Sequence, residues 1–189
     1  MNITVEVSAR HLHVTKEALA ALFGPDAALH NKRELSQPGQ WLTEERVRVE
    51  GPRGSLDMSI LGPERPVTQV EISMTDARTL GLTPPVRESG DVAGSAPCRL
   101  VGPAGSYDLT EGVIVAKRHA HLTVVTAEKY GFRDKSVVRL KVGGNGRKVE
   151  YDDVVVRVSA GFSDAVHLDT DESNAAGGLA PGAEGELIP

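Results

Sequence analysis

Short β-branched runs recur along this chain, each bounded by glycine, proline or aspartate, and few stretches carry the 3.6-residue period of an amphipathic helix. ITVEVS, ERVRVEG, SLDMSIL, TQVEIS, GVIVAKR, SVVRLKVG, KVEYDDVVVRVS and AVHLD each read as strands. Their close spacing predicts antiparallel barrels or sandwiches. Three short helices fit between them: Thr15 to about Phe23, Thr75 to about Leu80, and Thr123 or Thr126 to about Tyr130, each opening on a threonine suited to capping. The stretch PPVRESGDVAGSA, from Pro84 to Ala96, is rich in turn formers and reads as a linker or long surface loop. It divides the chain into halves, 1–85 and 86–189, with the N-terminal strand available to pair with the second half.

Internal repetition sharpens this picture. GPRGSLDMSILGP from Gly51 has an echo in GPAGSYDLTEG from Gly102, and the two run on into TQVEISMTDARTLGL and VAKRHAHLTVVTAEKYGF. Aligning Thr75 with Thr123 sets Glu71 against His119; aligning Thr15 with Thr123 sets His11 and His13 against His119 and His121. Advancing Glu71 by two intervals of 48 reaches His167. Four times, then, a strand ends in a metal-competent side chain with a polar capping candidate four residues on: His11 and Thr15, Glu71 and Thr75, His119 and Thr123, His167 and Asp171. The expected fold is mainly β with short α-helices: two pseudo-repeated β-barrels capped by those helices, with a metal site between them.

Composition narrows the classes. The chain has 189 residues, 40% of them hydrophobic, with 20 glycines, enough for one sizeable domain or two small ones. Runs such as GVIVA and VVV are far shorter than the roughly 20 residues of a membrane helix. Met1 leads into ITVEV instead of the charged and apolar regions of a signal peptide, so the expectation is a cytoplasmic protein with no membrane partner. A single cysteine, Cys98, excludes an internal disulfide and any cysteine-rich zinc cluster. A net charge of −5 with three Phe, three Tyr and one Trp argues against a nucleic-acid surface, which needs clustered cations and stacking aromatics. A local basic pocket for a phosphorylated small molecule is compatible with it.

Four of the six histidines form two His-x-His pairs, His11/His13 and His119/His121. In a strand, residues i and i+2 share a face, so each pair sets two imidazoles side by side while Leu12 or Ala120 points the other way. A lone pair of this kind is usually chance on a surface. Two pairs, each after an arginine (Arg10, Arg118) and each at a strand-to-helix switch within a repeat, point to metal. Glu71 and His167 join them through their repeat positions. Divided three and three, the six side chains suit two zinc ions, each with an open coordination position, although these ligands also accept other divalent transition metals. His30, in ALHNKRE, has no such support and reads as a loop histidine; Cys98 reads as a bystander. The acidic DTDES run lacks the pattern of a calcium-binding loop and reads as a helix cap.

VSARHLHVT, GPERPVTQVEIS, GVIVAKRHAHLT and the H-x6-N of HLDTDESN, in that order and over nearly the whole chain, resemble the signature motifs of the PduL-type phosphate acyltransferases (phosphate propanoyltransferase, or phosphotransacetylase). The resemblance implies a two-barrel fold with a di-zinc site between the barrels, and reversible transfer of a short acyl group, acetyl or propanoyl, between coenzyme A and inorganic phosphate. By motif, His11, His13 and Glu71 would hold one zinc, and His119, His121 and His167 the other. Arg65, in G-P-x-R, would hold the phosphate for direct attack on the thioester, and Asn174 would line the site near a metal or the coenzyme. Some members carry an amphipathic N-terminal extension that directs them to bacterial microcompartments; Met1 here stands almost directly before the first strand, which favours the cytoplasm over encapsulation. A homodimer is the preferred assembly. The competing reading is a metal-dependent hydrolase of a thioester or similar substrate, since a di-zinc site also generates hydroxide near neutral pH.

Overall fold

The computed structural model describes residues 1–189. In chain order the elements are β1 (Asn2–Val7), β2 (His11–His13), α1 (Lys16–Phe23), β3 (Asn31–Glu34), β4 (Trp41–Glu50), β5 (Ser55–Gly62), β6 (Gln69–Glu71), α2 (Met74–Leu80) and β7 (Val86–Arg87). There follow β8 (Ala96–Val101), β9 (Ser106–Ala116), β10 (His119–Leu122), α3 (Val124–Tyr130), β11 (Val137–Gly144), β12 (Arg147–Val158), β13 (Ala165–Leu168), α4 (Thr170–Ala175) and β14 (Glu184–Ile188). No helix is long and apolar enough to cross a membrane.

The chain forms two compact units, Arg10–Ala116 and the combination of Met1–Ala9 with Lys117–Pro189. This differs from a division at residue 85. The segment after Pro84 does not separate two halves: β7 pairs with β9, and β8 pairs with both β4 and β9, so these residues belong to the sheet begun before them. Each unit is a closed six-stranded barrel. In Arg10–Ala116 the ring runs β2-β5-β4-β8-β9-β6, with β3 and β7 added outside it. In the other unit it runs β10-β12-β11-β14-β1-β13. Read from the His-x-His strand, both rings show the same succession of one parallel, three antiparallel, one parallel and one antiparallel pairing. β1 fills in its ring the place that β9 fills in the other.

The alternation of each strand supplies its core. Val138, Leu140 and Val142 of β11 are buried between exposed neighbours, as is Val47 of β4. A ring of only six strands leaves no room for a ligand inside. Leu12, Met58, Ile60, Val70, Leu100 and Val113 fill one barrel; Val5, Leu122, Leu140, Val156, Val166 and Leu187 belong to the core of the other. Chemistry therefore has to happen outside the barrel interiors.

The repeated G-P-x-G motifs have a steric cause. They turn the β4–β5 and β8–β9 hairpins against the ends of α2 and α1, where a Cβ on Gly51 would stand 2.3 Å from the Leu80 carbonyl oxygen, and one on Gly102 2.3 Å from that of Leu22. The helix caps depart from the expected frame. Thr15 and Thr123 cap α1 and α3 as read, but α2 is capped by Ser73 and α4 by Asp169, each in a reciprocal capping box with Asp76 and Glu172 respectively. Thr75 and Asp171 lie inside their helices, and each cap stands two residues beyond a ligand candidate: His13, Glu71, His121 and His167.

Candidate metal centres

In the Arg10–Ala116 unit, β2 and β6 run antiparallel with His11 opposite Glu71. His11 Nε2 lies 3.6 Å from Glu71 Oε2, and the His11 and His13 rings are 5.2 Å apart. His13 Nδ1 donates to the Leu61 carbonyl at 3.2 Å, which fixes the tautomer and leaves Nε2 as the electron-pair donor. Gln69, opposite His13, donates through Nε2 to Glu71 Oε1 at 2.5 Å. All three ligand candidates are buried and each can place a ligand atom within 4.8 Å of the others. Burial pushes His13 down to about 3, with the charges of His11 and Arg65 adding to the effect against the opposing pull of Glu71 and the Leu61 carbonyl. The imidazole is thus neutral, the form a metal takes.

The second unit builds its counterpart from imidazoles alone. β10 and β13 run antiparallel with His119 opposite His167, and the three rings sit 4.8, 5.0 and 4.9 Å apart for the pairs His119/His121, His119/His167 and His121/His167. His119 Nδ1 donates to the Lys117 carbonyl at 2.8 Å. Burial, then the charges of His119, His167 and Arg157, push His121 down to about 2. His121 Nδ1 is buried and hydrogen-bonds to nothing in the protein. An orphaned buried nitrogen among crowded imidazoles is costly unless an ion or water meets it. The donor set and its spacing fit a divalent transition metal in both triads.

Two features escaped sequence reasoning. The arginine before each His-x-His pair ties to the acidic residue of a capping box: Arg10 to Asp76, with Nη2 2.7 Å from Oδ1, and Arg118 to Glu172, with Nε 2.7 Å from Oε1. Arg118 also bonds Asp153 and stacks 4.4 Å over the Tyr151 ring. Burial pushes the Glu172 carboxyl up to about 7, while the Asp169 amide and Arg118 pull it down. Each strap fixes the strand start that aims the imidazoles; the two arginines were visible in the sequence, their partners were not. The second feature is the loop after β7, read from its composition as a linker. Its Ser89 hydroxyl accepts from Gln69 Nε2 at 2.9 Å, and its Gly90 amide donates to Gln69 Oε1 at 2.6 Å.

That same Ser89 hydroxyl accepts from Arg65 Nη1 at 3.4 Å, and the Arg65 amide donates to the Val14 carbonyl at 2.9 Å. Arg65 is thereby linked to Glu71 through Ser89 and Gln69. Asn174 stands on an exposed face of α4 and hydrogen-bonds to neither triad through its side chain. His30 pairs with Glu45 at 2.7 Å on an exposed loop, away from both triads. Cys98 is buried in β8, and burial, with Asp108 adding, pushes its thiol up to about 12, so it offers no thiolate.

Two six-stranded barrels, each bearing one triad of metal-competent side chains with an arginine nearby, define a class of metal-competent β-barrel proteins. Residues 4–178 match the family model described as phosphate propanoyltransferase. Proteins named phosphate propanoyltransferase from Listeria monocytogenes, Clostridioides difficile and Thermotoga maritima are 46% identical to this chain, over 98, 93 and 92% of it and 87, 84 and 83% of their own lengths. The chain belongs to the phosphate propanoyltransferase family. It is an enzyme, an acyltransferase of a family acting on acyl-CoA and phosphate.

Proposed function

We propose that the protein moves a short acyl group, acetyl or propanoyl, reversibly between coenzyme A and inorganic phosphate, with both triads occupied by zinc or another divalent transition ion. The observation that carries this reading is the linkage of Arg65 to a triad ligand through Ser89 and Gln69. A purely structural metal site has no use for an anion-binding guanidinium held beside it. When bound, a divalent zinc supplies Lewis-acid polarisation for a carbonyl and a borderline-soft partner for sulfur.

The chain's own groups do the rest. Arg65 presents a planar fork that grips two phosphate oxygens through charge-assisted bonds and aims a third at the thioester. Holding the reactants in line contributes several kcal/mol, of the order seen for oriented intramolecular reactions. The attacking oxygen forms a bond to the carbonyl carbon, and the C–S bond breaks with its electron pair on sulfur, giving acyl phosphate and the coenzyme thiolate. Asn174, exposed on α4, offers its amide to the coenzyme. With the Cys98 thiol protonated, no acyl-enzyme on that residue is required.

The test is a coupled assay. Acetyl-CoA or propanoyl-CoA with phosphate should release free thiol and acyl phosphate in equal amounts, and Arg65→Ala should raise the phosphate KM and lower kcat together. Phosphate-independent release of free acid would make the enzyme a thioesterase instead, and unchanged phosphate kinetics would remove Arg65 from this role.

A further inference from the structure

Beside the all-histidine triad stands a second arginine to which neither motif nor family name gives a part. Arg157 lies on β12, in register with His121 across the parallel β10–β12 ladder, and in-register neighbours project to the same side of a sheet. Its guanidinium carbon is 6.0 Å from the centre of the Phe162 ring, which itself packs 4.3 Å from the His121 ring. Its charge also disfavours protonation of His121. Arg10 and Arg118, the arginines that precede the two His-x-His pairs, are tied down by carboxylates. Arg157 is half-buried and ion-pairs with no carboxylate.

The other barrel shows what this position does not need for folding. His11 pairs with Ser59 and Leu12 with Ile60, so Leu61 follows beside His13 at the place Arg157 holds beside His121. An apolar residue satisfies the barrel there. Charge makes the contrast larger. With a divalent ion, the triad containing Glu71 carries one net positive charge, while three imidazoles carry two, and Arg157 adds a third. Glu6, 3.7 Å from His167 through Oε2, offsets one of these. That concentration of positive charge in a half-buried setting is expensive without an anion to meet it.

We infer that Arg157 is an anion-binding residue for the histidine triad, receiving a phosphoryl oxygen of the substrate. This rests on the reading of the triads as metal-loaded and of phosphate and coenzyme A as ligands. Both carry phosphoryl oxygens, so the chemistry is shared and the binding measurements separate the sources.

Isothermal titration of the metal-loaded protein with inorganic phosphate, and separately with coenzyme A, compares wild type, Arg157→Gln and Arg157→Lys, with metal content and Tm recorded for each. Losing a charge-assisted hydrogen bond should weaken the affected ligand about 10- to 100-fold in Arg157→Gln, at unchanged metal content. Arg157→Lys, which keeps the charge without the fork, should fall between. A loss confined to phosphate identifies inorganic or acyl phosphate as the source; a loss confined to coenzyme A identifies its phosphates; both support the assignment. Unchanged affinities for both ligands beside a responsive wild type overturn the Arg157 assignment alone. Loss of metal from both variants also overturns it, making Arg157 a support of the triad. Should metal-loaded wild type bind neither ligand, the proposed function fails and takes this inference with it.

Discussion

The two triads share a strand register and differ in one ligand. His11 and His119 each face the third ligand across an antiparallel pair, but that ligand is Glu71 in one barrel and His167 in the other. The carboxylate is not missing from the second barrel; it stands one strand over, as Glu6 on β1 in register with His167, where the first barrel has Ile114 in register with Glu71. One barrel thus places its acid among the ligands, and the other places it behind one. The consequence is a difference in charge toward any bound cation: the carboxylate-bearing triad would neutralise half the charge of a divalent ion, and the all-imidazole triad none of it.

Removing the third ligand from each side in turn should have the largest effect. With one ion in each triad, as proposed, Glu71→Gln and His167→Gln would each lose one ion and keep the other. Because a catalytic metal is worth several kcal/mol of transition-state stabilisation, turnover should fall by about 1000-fold or more in both. Elemental analysis beside the thiol-release assay reads this out. If Glu71→Gln strips both ions, the triads do not load independently and the comparison by charge fails.

Acid separates the triads from the rest of the fold. His13 and His121 stay neutral in the folded protein down to about 3 and about 2, whereas in the unfolded chain a histidine protonates near 6.5. The unfolded state then binds more protons below that value, so stability is fully present above about pH 6.5 and is lost as the pH falls. For metal-stripped protein the two residues together should contribute a slope of about 2.7 kcal/mol per pH unit between about pH 6 and pH 3.5. Urea unfolding across that window should show His13→Gln and His121→Gln each removing about half of it. A slope that survives both substitutions would place the acid sensitivity elsewhere.

Glu6→Gln probes the carboxylate behind the ligand. Groups that orient or polarise a ligating histidine typically affect metal affinity 10- to 100-fold. A weakening of about that size is expected for the histidine triad only, with the Glu71 triad unaffected, as measured by chelator competition. Equal weakening at both would mean that Glu6 acts on general stability instead of on His167.

Much of this was legible in the chain. His-x-His is a pattern of period two, and a strand converts it directly into two ligands on one face; the G-P-x-G echo likewise follows from a backbone approach that only glycine permits. What stayed hidden is set by pairing between distant segments. β2, β6 and β10 are three or four residues long, too short to show a period, so repeat spacing aligned Glu71 with both His119 and His167, and only strand pairing singles out His167 as its counterpart. β8 and β14 were passed over because Pro97 and Gly185 interrupt their alternation. The division at residue 85 failed for a similar reason: turn-rich composition marks irregular backbone, but says nothing about Ser89 and Gly90 bonding to Gln69.

The misplaced frame yields the smallest and most local test. If spacing from the ligand strands had set the helix starts, Thr75 and Asp171 would be the caps; the side chains of Ser73 and Asp169 accept the hydrogen bonds from the Asp76 and Glu172 amides instead. Truncating a true cap exposes a helix-end amide and typically costs about 1 kcal/mol, whereas an exposed position inside a helix usually changes stability by less than about 0.5 kcal/mol. Ser73→Ala and Asp169→Ala should therefore each lower the unfolding free energy by about 1 kcal/mol in denaturant titration, and Thr75→Ala and Asp171→Ala by about half of that or less. Asp169→Ala should cost slightly more than Ser73→Ala, because a carboxylate also complements the helix dipole. The reverse ranking, with Thr75 and Asp171 the costlier pair, would restore the four-residue frame read from spacing and remove the two-residue offset between ligand and cap.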